Sequence, residues 1–67
     1  MTGPITARSK FECARREVEQ RQRVYPRLVA AEKMTAQFAD RQLEVMAAIA
    51  EDYRALAELE EQETRLL

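Results

Sequence analysis

The sequence predicts an all-α fold: an antiparallel two-helix hairpin that dimerises into a four-helix bundle. Three observations lead there. Glycine occurs once (Gly3) and proline twice (Pro4 and Pro26) in 67 residues. Most of the chain therefore runs without strong punctuation and is rich in Ala, Glu, Arg, Gln and Leu, a strongly helix-favouring composition. Apolar residues recur at helical spacing in two long blocks separated by a short connection. Finally, a chain this short forms a single domain, residues 1–67, whose core alone supplies only about 3–5 kcal/mol. Such domains are usually reinforced by disulfides, a metal or a second subunit. Cys13 is the only cysteine and there is no histidine, so a disulfide within the chain and a closed zinc site are both excluded. Self-association, most simply as a homodimer, is the remaining expectation.

Helix 1 is expected over about 6–31, with Pro4 near its first turn and Thr2 or Thr6 as N-cap. At 100° per residue, Ala7, Phe11, Ala14, Val18, Tyr25 and Val29 share one face, with Gln22 inside that stripe and Arg21 at its edge. Pro26 lacks the N–H that would bond the Gln22 carbonyl, and its ring crowds that turn. Because the apolar pattern resumes at Leu28 and Val29, a kink near Pro26 is expected in preference to a break. The chain should reverse around Glu32-Lys33-Met34-Thr35, although no glycine marks the end of helix 1.

Helix 2 is expected over about 36–64, with Thr35 as its N-cap. Its stripe reads Phe38, Gln42, Val45, Met46, Ile49, Tyr53 and Leu56, flanked by Ala39, Ala50 and Ala57. Glu60 and Glu63 interrupt it, so the last two turns are expected to project into solvent or fray. Leu66 and Leu67 form an apolar tail. The expected hairpin core is therefore Phe11, Ala14, Val18, Tyr25, Phe38, Val45, Met46, Ile49, Tyr53 and Leu56. A reversal at 33–34 sets opposite one another residues whose numbers sum to about 67, in coiled-coil-like knobs-into-holes packing.

The net charge of −1 is unevenly divided. Residues 1–33 carry eight basic and four acidic side chains (+4), and residues 34–67 carry three and eight (−5). A basic helix beside an acidic one favours the hairpin, with Arg15 near Asp52 and Arg27 near Asp40 as expected pairs. Off the main stripes lie Cys13, Val24, Leu28, Leu43 and Leu59. These are either ordinary exposed hydrophobes or a second contact surface, and the small core favours the latter. Candidate partner-binding residues are Arg23, Val24, Arg27, Leu28 and Leu43.

Nothing in the chain points to catalysis. There is no histidine, no hydroxyl with an evident base beside it, and no cationic setting for the Cys13 thiol, which reads as a small filler residue. No calcium-loop or Glu-x-x-His pattern suggests a metal, and no cofactor is expected. No apolar run approaches a membrane span and the N-terminus does not read as a signal peptide, so a cytoplasmic protein without membrane contact is expected. Arg8, Lys10, Arg15, Arg16, Arg21, Arg23 and Arg27 make helix 1 basic enough to track phosphates. The acidic second helix makes nucleic acid the lesser alternative to a protein partner.

The segments Phe11-Glu12-Cys13-Ala14-Arg15-Arg16-Glu17-Val18, Arg23-Val24-Tyr25-Pro26-Arg27-Leu28-Val29, Lys33-Met34-Thr35 and Glu44-Val45-Met46-Ala47-Ala48-Ile49 resemble a group of small bacteriophage and prophage proteins. The resemblance covers about residues 11–54, and its most specific element is Val-Tyr-Pro-Arg followed by Lys-Met-Thr. It implies phage origin, and so the cytoplasm of the host cell. Small phage helical hairpins as a class include inhibitors that bind host regulators, among them anti-activators. A phage-encoded modulator of a host protein is accordingly the leading expectation, ahead of a nucleic-acid accessory protein and of a structural subunit in a phage assembly.

Overall fold

Two long helices pack side by side in the computed structural model, which describes residues 3–66. Helix α1 spans Ala7–Ala30 and α2 spans Ala36–Leu66, giving a flat rod of 53 × 25 × 12 Å. Thr2 and Leu67, and the side chain of Leu66, lie outside the described residues.

Both helices start where a threonine can satisfy their free N–H groups. Thr6 caps α1: its hydroxyl accepts from the Ser9 N–H at 3.1 Å, and the Ser9 hydroxyl accepts from the Thr6 N–H at 2.9 Å. This reciprocal arrangement is a capping box built with serine in place of glutamate. Thr35 caps α2, its hydroxyl accepting from the Phe38 N–H at 3.1 Å. Helix α1 runs unbroken through Pro26, which is exposed.

The connection, residues 31–35, begins with a Schellman motif. The Lys33 N–H donates to the Leu28 carbonyl at 2.9 Å and the Glu32 N–H to the Val29 carbonyl at 3.0 Å. That geometry places Glu32 in the left-handed region, at φ 60°, a position usually given to glycine. The chain thus turns sharply without the residue that ordinarily announces such a turn.

Contacts between the helices bracket the expected register. The Glu60 carboxylate accepts from the Ala7 N–H at 3.2 Å, Arg8 forms a two-pronged bond with Glu61 at 2.8 and 2.9 Å, and Arg21 donates to the Gln42 carbonyl at 3.3 Å. These pairs sum to between 63 and 69, around the expected 67. Residues 58–65 of α2 are exposed, but Glu60 and Glu61 reach back to the start of α1. Glu60 places its negative charge at the N-terminus of α1, where exposed N–H groups and the helix dipole favour it.

The core corrects the expected face of α2. Among the described residues, those buried are five alanines: Ala7, Ala14, Ala39, Ala50 and Ala57. Phe11, Val18, Tyr25, Met46 and Tyr53 are half-buried beside them. Phe38, Val45, Ile49 and Leu56, expected in the hairpin core, are exposed. The line of contact on α2 instead follows Ala39, Leu43, Met46, Ala50, Tyr53 and Ala57, turned by about 75° from the expected stripe, with Met46 and Tyr53 common to both. On α1 it follows Ala7, Phe11, Ala14, Val18, Arg21, Tyr25 and Leu28. Both sets alternate steps of four and three, the spacing of a coiled-coil seam. Alanines win the seam because interaxial distance depends on the side chains at the contact. Small residues let two helices approach closely, and larger neighbours then cover the edges.

Candidate protein-interaction site

The ion pairs commit about half of the charged groups to local or hairpin-closing contacts. Arg15 pairs with Glu19, Arg21 with Glu17, and Arg54 with both Glu51 and Glu58, each within one helix. Among the described residues, the ion pair that bridges the helices is Arg8–Glu61. The expected approaches of Arg15 to Asp52 and of Arg27 to Asp40 are not formed. Arg15 turns to the carboxylate one turn along its own helix, and Arg27 projects from the exposed face of α1. Hydrogen bonding from Arg8 holds the Glu61 carboxyl below its ordinary value, and Arg54 does the same for Glu51. The guanidiniums of Arg8 and Arg54 are raised in turn, first by those hydrogen bonds. Lys10 and Arg21 lie over the rings of Tyr53 and Tyr25, at 5.4 and 5.8 Å from the ring centres, and so shield the seam's aromatics on one flank.

What remains defines two surfaces. The first is the outer face of α1. Arg16, Arg23 and Arg27 are exposed there and enter no ion pair among the described residues. They span about 16 Å of helix at 1.5 Å per residue, and Arg23 and Arg27 stand one turn apart, where like charges repel. Val24, 36% exposed, adjoins them. Of the sequence-derived candidates, Arg23, Val24 and Arg27 therefore share this side of α1, whereas half-buried Leu28 lies in the seam. Leu43 lies in the seam as well, on α2. It is half-buried and lines an open groove of about 370 Å³ with Tyr25, Pro26, Val29, Ala39 and Asp40 near the turn. Cys13 is exposed and free.

The second surface was not singled out by the sequence reading. Phe38 (53% exposed), Val45, Ile49 and Leu56 (47%) fall within about 40° of one another on α2, and Leu59 lies about 60° to one side. The signal was present in the residues: α2 carries two interleaved four-three repeats, one beginning at Phe38 and one at Ala39. Together they form an apolar stripe wider than a single partner helix can cover.

Among the described residues, no cluster of His, Cys, Asp or Glu could hold a metal ion, and no described helix is long and apolar enough to cross a membrane. Comparison of the chain with family models, curated proteins and solved structures gave no match.

Proposed function

We propose that the chain is a non-catalytic protein-binding module, a phage-encoded inhibitor or modulator that acts by covering a face of a host protein. The observation that carries this reading is the arginine row of α1, Arg16, Arg23 and Arg27, left without carboxylate partners beside exposed Val24. Arginine at an exposed, unpaired position offers a planar fork of donors for carboxylates, and it is enriched at interface hot spots. An apolar residue next to it supplies the water-excluding contact. The partner that fits is an acidic patch bordering a small apolar depression. A regulator covered in this way would be blocked by occlusion, without any chemistry from the bound chain.

The same three arginines support a second reading, contact with nucleic acid phosphates. The carboxylates of Glu12 and Glu19 near this row, and the net charge of −1, oppose it. A pull-down from host lysate, run with and without nuclease, tests both readings. Under the first, one protein is recovered in stoichiometric amount after nuclease treatment, and a folded Arg23→Glu/Arg27→Glu variant loses it. Recovery that depends on nucleic acid, with a log–log salt slope of about −0.9 per phosphate contacted, would replace the first reading by the second.

A further inference from the structure

From the α2 face of Phe38, Val45, Ile49 and Leu56, we infer that the partner covering it is a second copy of the chain, docked antiparallel through α2 as a two-fold dimer. Three observations identify the occupant. The first is the pattern. Along α2 the row reads Phe38, Gln42, Val45, Ile49, Asp52, Leu56, with steps of four, three, four, three and four. This order reads the same in both directions about position 47. An antiparallel copy therefore sets Phe38 against the partner's Leu56, Val45 against the partner's Ile49 and Gln42 against the partner's Asp52. Large apolar residues meet large apolar residues, and the single carboxylate in the row meets an amide.

The second is charge. Arg41 lies along the edge of this row, and its one ion pair, to Glu44, is long at 3.9 Å between side chains 74% and 71% exposed. Asp52 is exposed and enters no ion pair among the described residues. The antiparallel register brings Arg41 of one copy beside Asp52 of the other, and the two-fold axis repeats the pair. The face is thus complementary to itself, as a two-fold interface must be.

The third is angular. The exposed row is rotated by about 100° from the row that contacts α1. A helix packed between two neighbours needs two apolar strips, one for each neighbour. Helix α2 carries both, and α1 fills one of them. Ala48 and Ala55 run along the outer edge and leave room for close approach. The hairpin alone fully buries no large side chain among the described residues, so the second copy also supplies the burial that a chain of this size lacks.

This inference is independent of the identity of any host target. Sedimentation equilibrium over a wide concentration range tests it, with helicity followed by circular dichroism. The chain is expected to approach twice its mass of 7.8 kDa. Ile49→Asp should weaken dimerisation roughly 30-fold or more, as loss of a central hot spot does. Ala47→Asp, on the opposite side of α2, should leave it in place. Because Ile49→Asp could also unfold the chain, a charge exchange at exposed positions gives a second, independent readout. Arg41→Glu and Asp52→Arg should each weaken the homodimer, and the two variants mixed should pair with one another in preference to themselves. A wild-type chain that stays monomeric throughout would give the face to a different partner and overturn the inference. A dimer indifferent to both Ile49→Asp and the charge exchange would overturn it equally. Arg23→Glu/Arg27→Glu should leave the dimer intact, so failure of the target-binding proposal and failure of this one are separable.

Discussion

Replacing Glu32 by glycine should stabilise the protein, although it deletes a side chain and adds none. Glu32 sits at φ 60°, held there by the bond from Lys33 N–H to the Leu28 carbonyl. An L-residue in that conformation suffers a Cβ clash worth about 1–2 kcal/mol. Glycine relieves it, while its extra freedom in the unfolded chain returns about 0.5–1 kcal/mol. The net gain is about 0–1.5 kcal/mol, with a middle value of about 0.75 kcal/mol. For a domain of this size each kcal/mol moves Tm by about 4–8 °C, so at that middle value Glu32→Gly should raise Tm by about 3–6 °C. The Glu32 side chain enters no ion pair among the described residues, so its removal gives up little. It does place a negative charge at the unfavourable end of α1. Glu32→Ala removes that charge and keeps the Cβ, so the difference between the two variants isolates the backbone. Thermal unfolding at one fixed protein concentration, since association would also shift Tm, reads the result. If Gly and Ala raise Tm equally, or Gly lowers it, the left-handed C-terminus of α1 does not exist as described.

Two further perturbations probe the seam and its closing pair. Ala57 is 0% exposed, so Ala57→Leu inserts a branched side chain where two backbones approach closely and should cost about 1–3 kcal/mol through overpacking. A chemical denaturation midpoint that did not fall would show that the helices are not held at alanine distance. The Glu61 carboxyl lies below its ordinary value near 4.5 when folded, so the stability it contributes is complete above that value and is lost as pH falls through the lower, folded one. Glu61→Gln should therefore flatten the acid limb of a stability–pH curve, with little effect at neutral pH beyond loss of one exposed ion pair. An unchanged acid limb would remove Glu61 from the hairpin's closure.

The helices, their order and their antiparallel register were legible because they rest on local chemistry and counting. Thr35 caps α2 as its residue type and position suggest, and the Ala7–Glu60 contact falls on the expected sum of 67. The turn was less legible, since Glu32 takes a conformation that its side chain disfavours and that only the surrounding hydrogen bonds enforce. The face of α2 was misread for a different reason. Ranking residues by hydrophobicity weights Phe38, Ile49 and Leu56 above Ala39, Ala50 and Ala57, whereas the seam selects for closeness as well as for apolarity. Transfer free energy favours burying the larger residues, but two helices that meet at alanines place more backbone and stem atoms in contact along their whole length. The same misreading hid the second surface: the large residues had been assigned to a core they do not occupy. On α1 the reading was closer, because only one apolar row exists there, and the off-row Arg23, Val24 and Arg27 stay exposed as a consequence.

The two surfaces are separated by the architecture itself. Helix α1 has a single apolar row and turns the opposite side, with Arg16, Arg23 and Arg27, to solvent. Helix α2 has two apolar rows and so can face a second helix without releasing the first. A dimer assembled through α2 would bury the surplus hydrophobic row near its two-fold axis and leave both arginine faces on the outside. Under the proposed occlusion the hairpin need not open, because Arg16, Arg23, Val24 and Arg27 are not among the residues of the seam. Proximity of the rows also explains why the inner charges are already neutralised. Arg8, Arg21 and Lys10 lie where α1 meets α2 and are taken up by Glu61, Glu17 and the Tyr53 ring. The arginines of α1 that enter no ion pair among the described residues, Arg16, Arg23 and Arg27, are those too far around the helix to reach α2, and an external carboxylate or phosphate is the kind of group that can satisfy them.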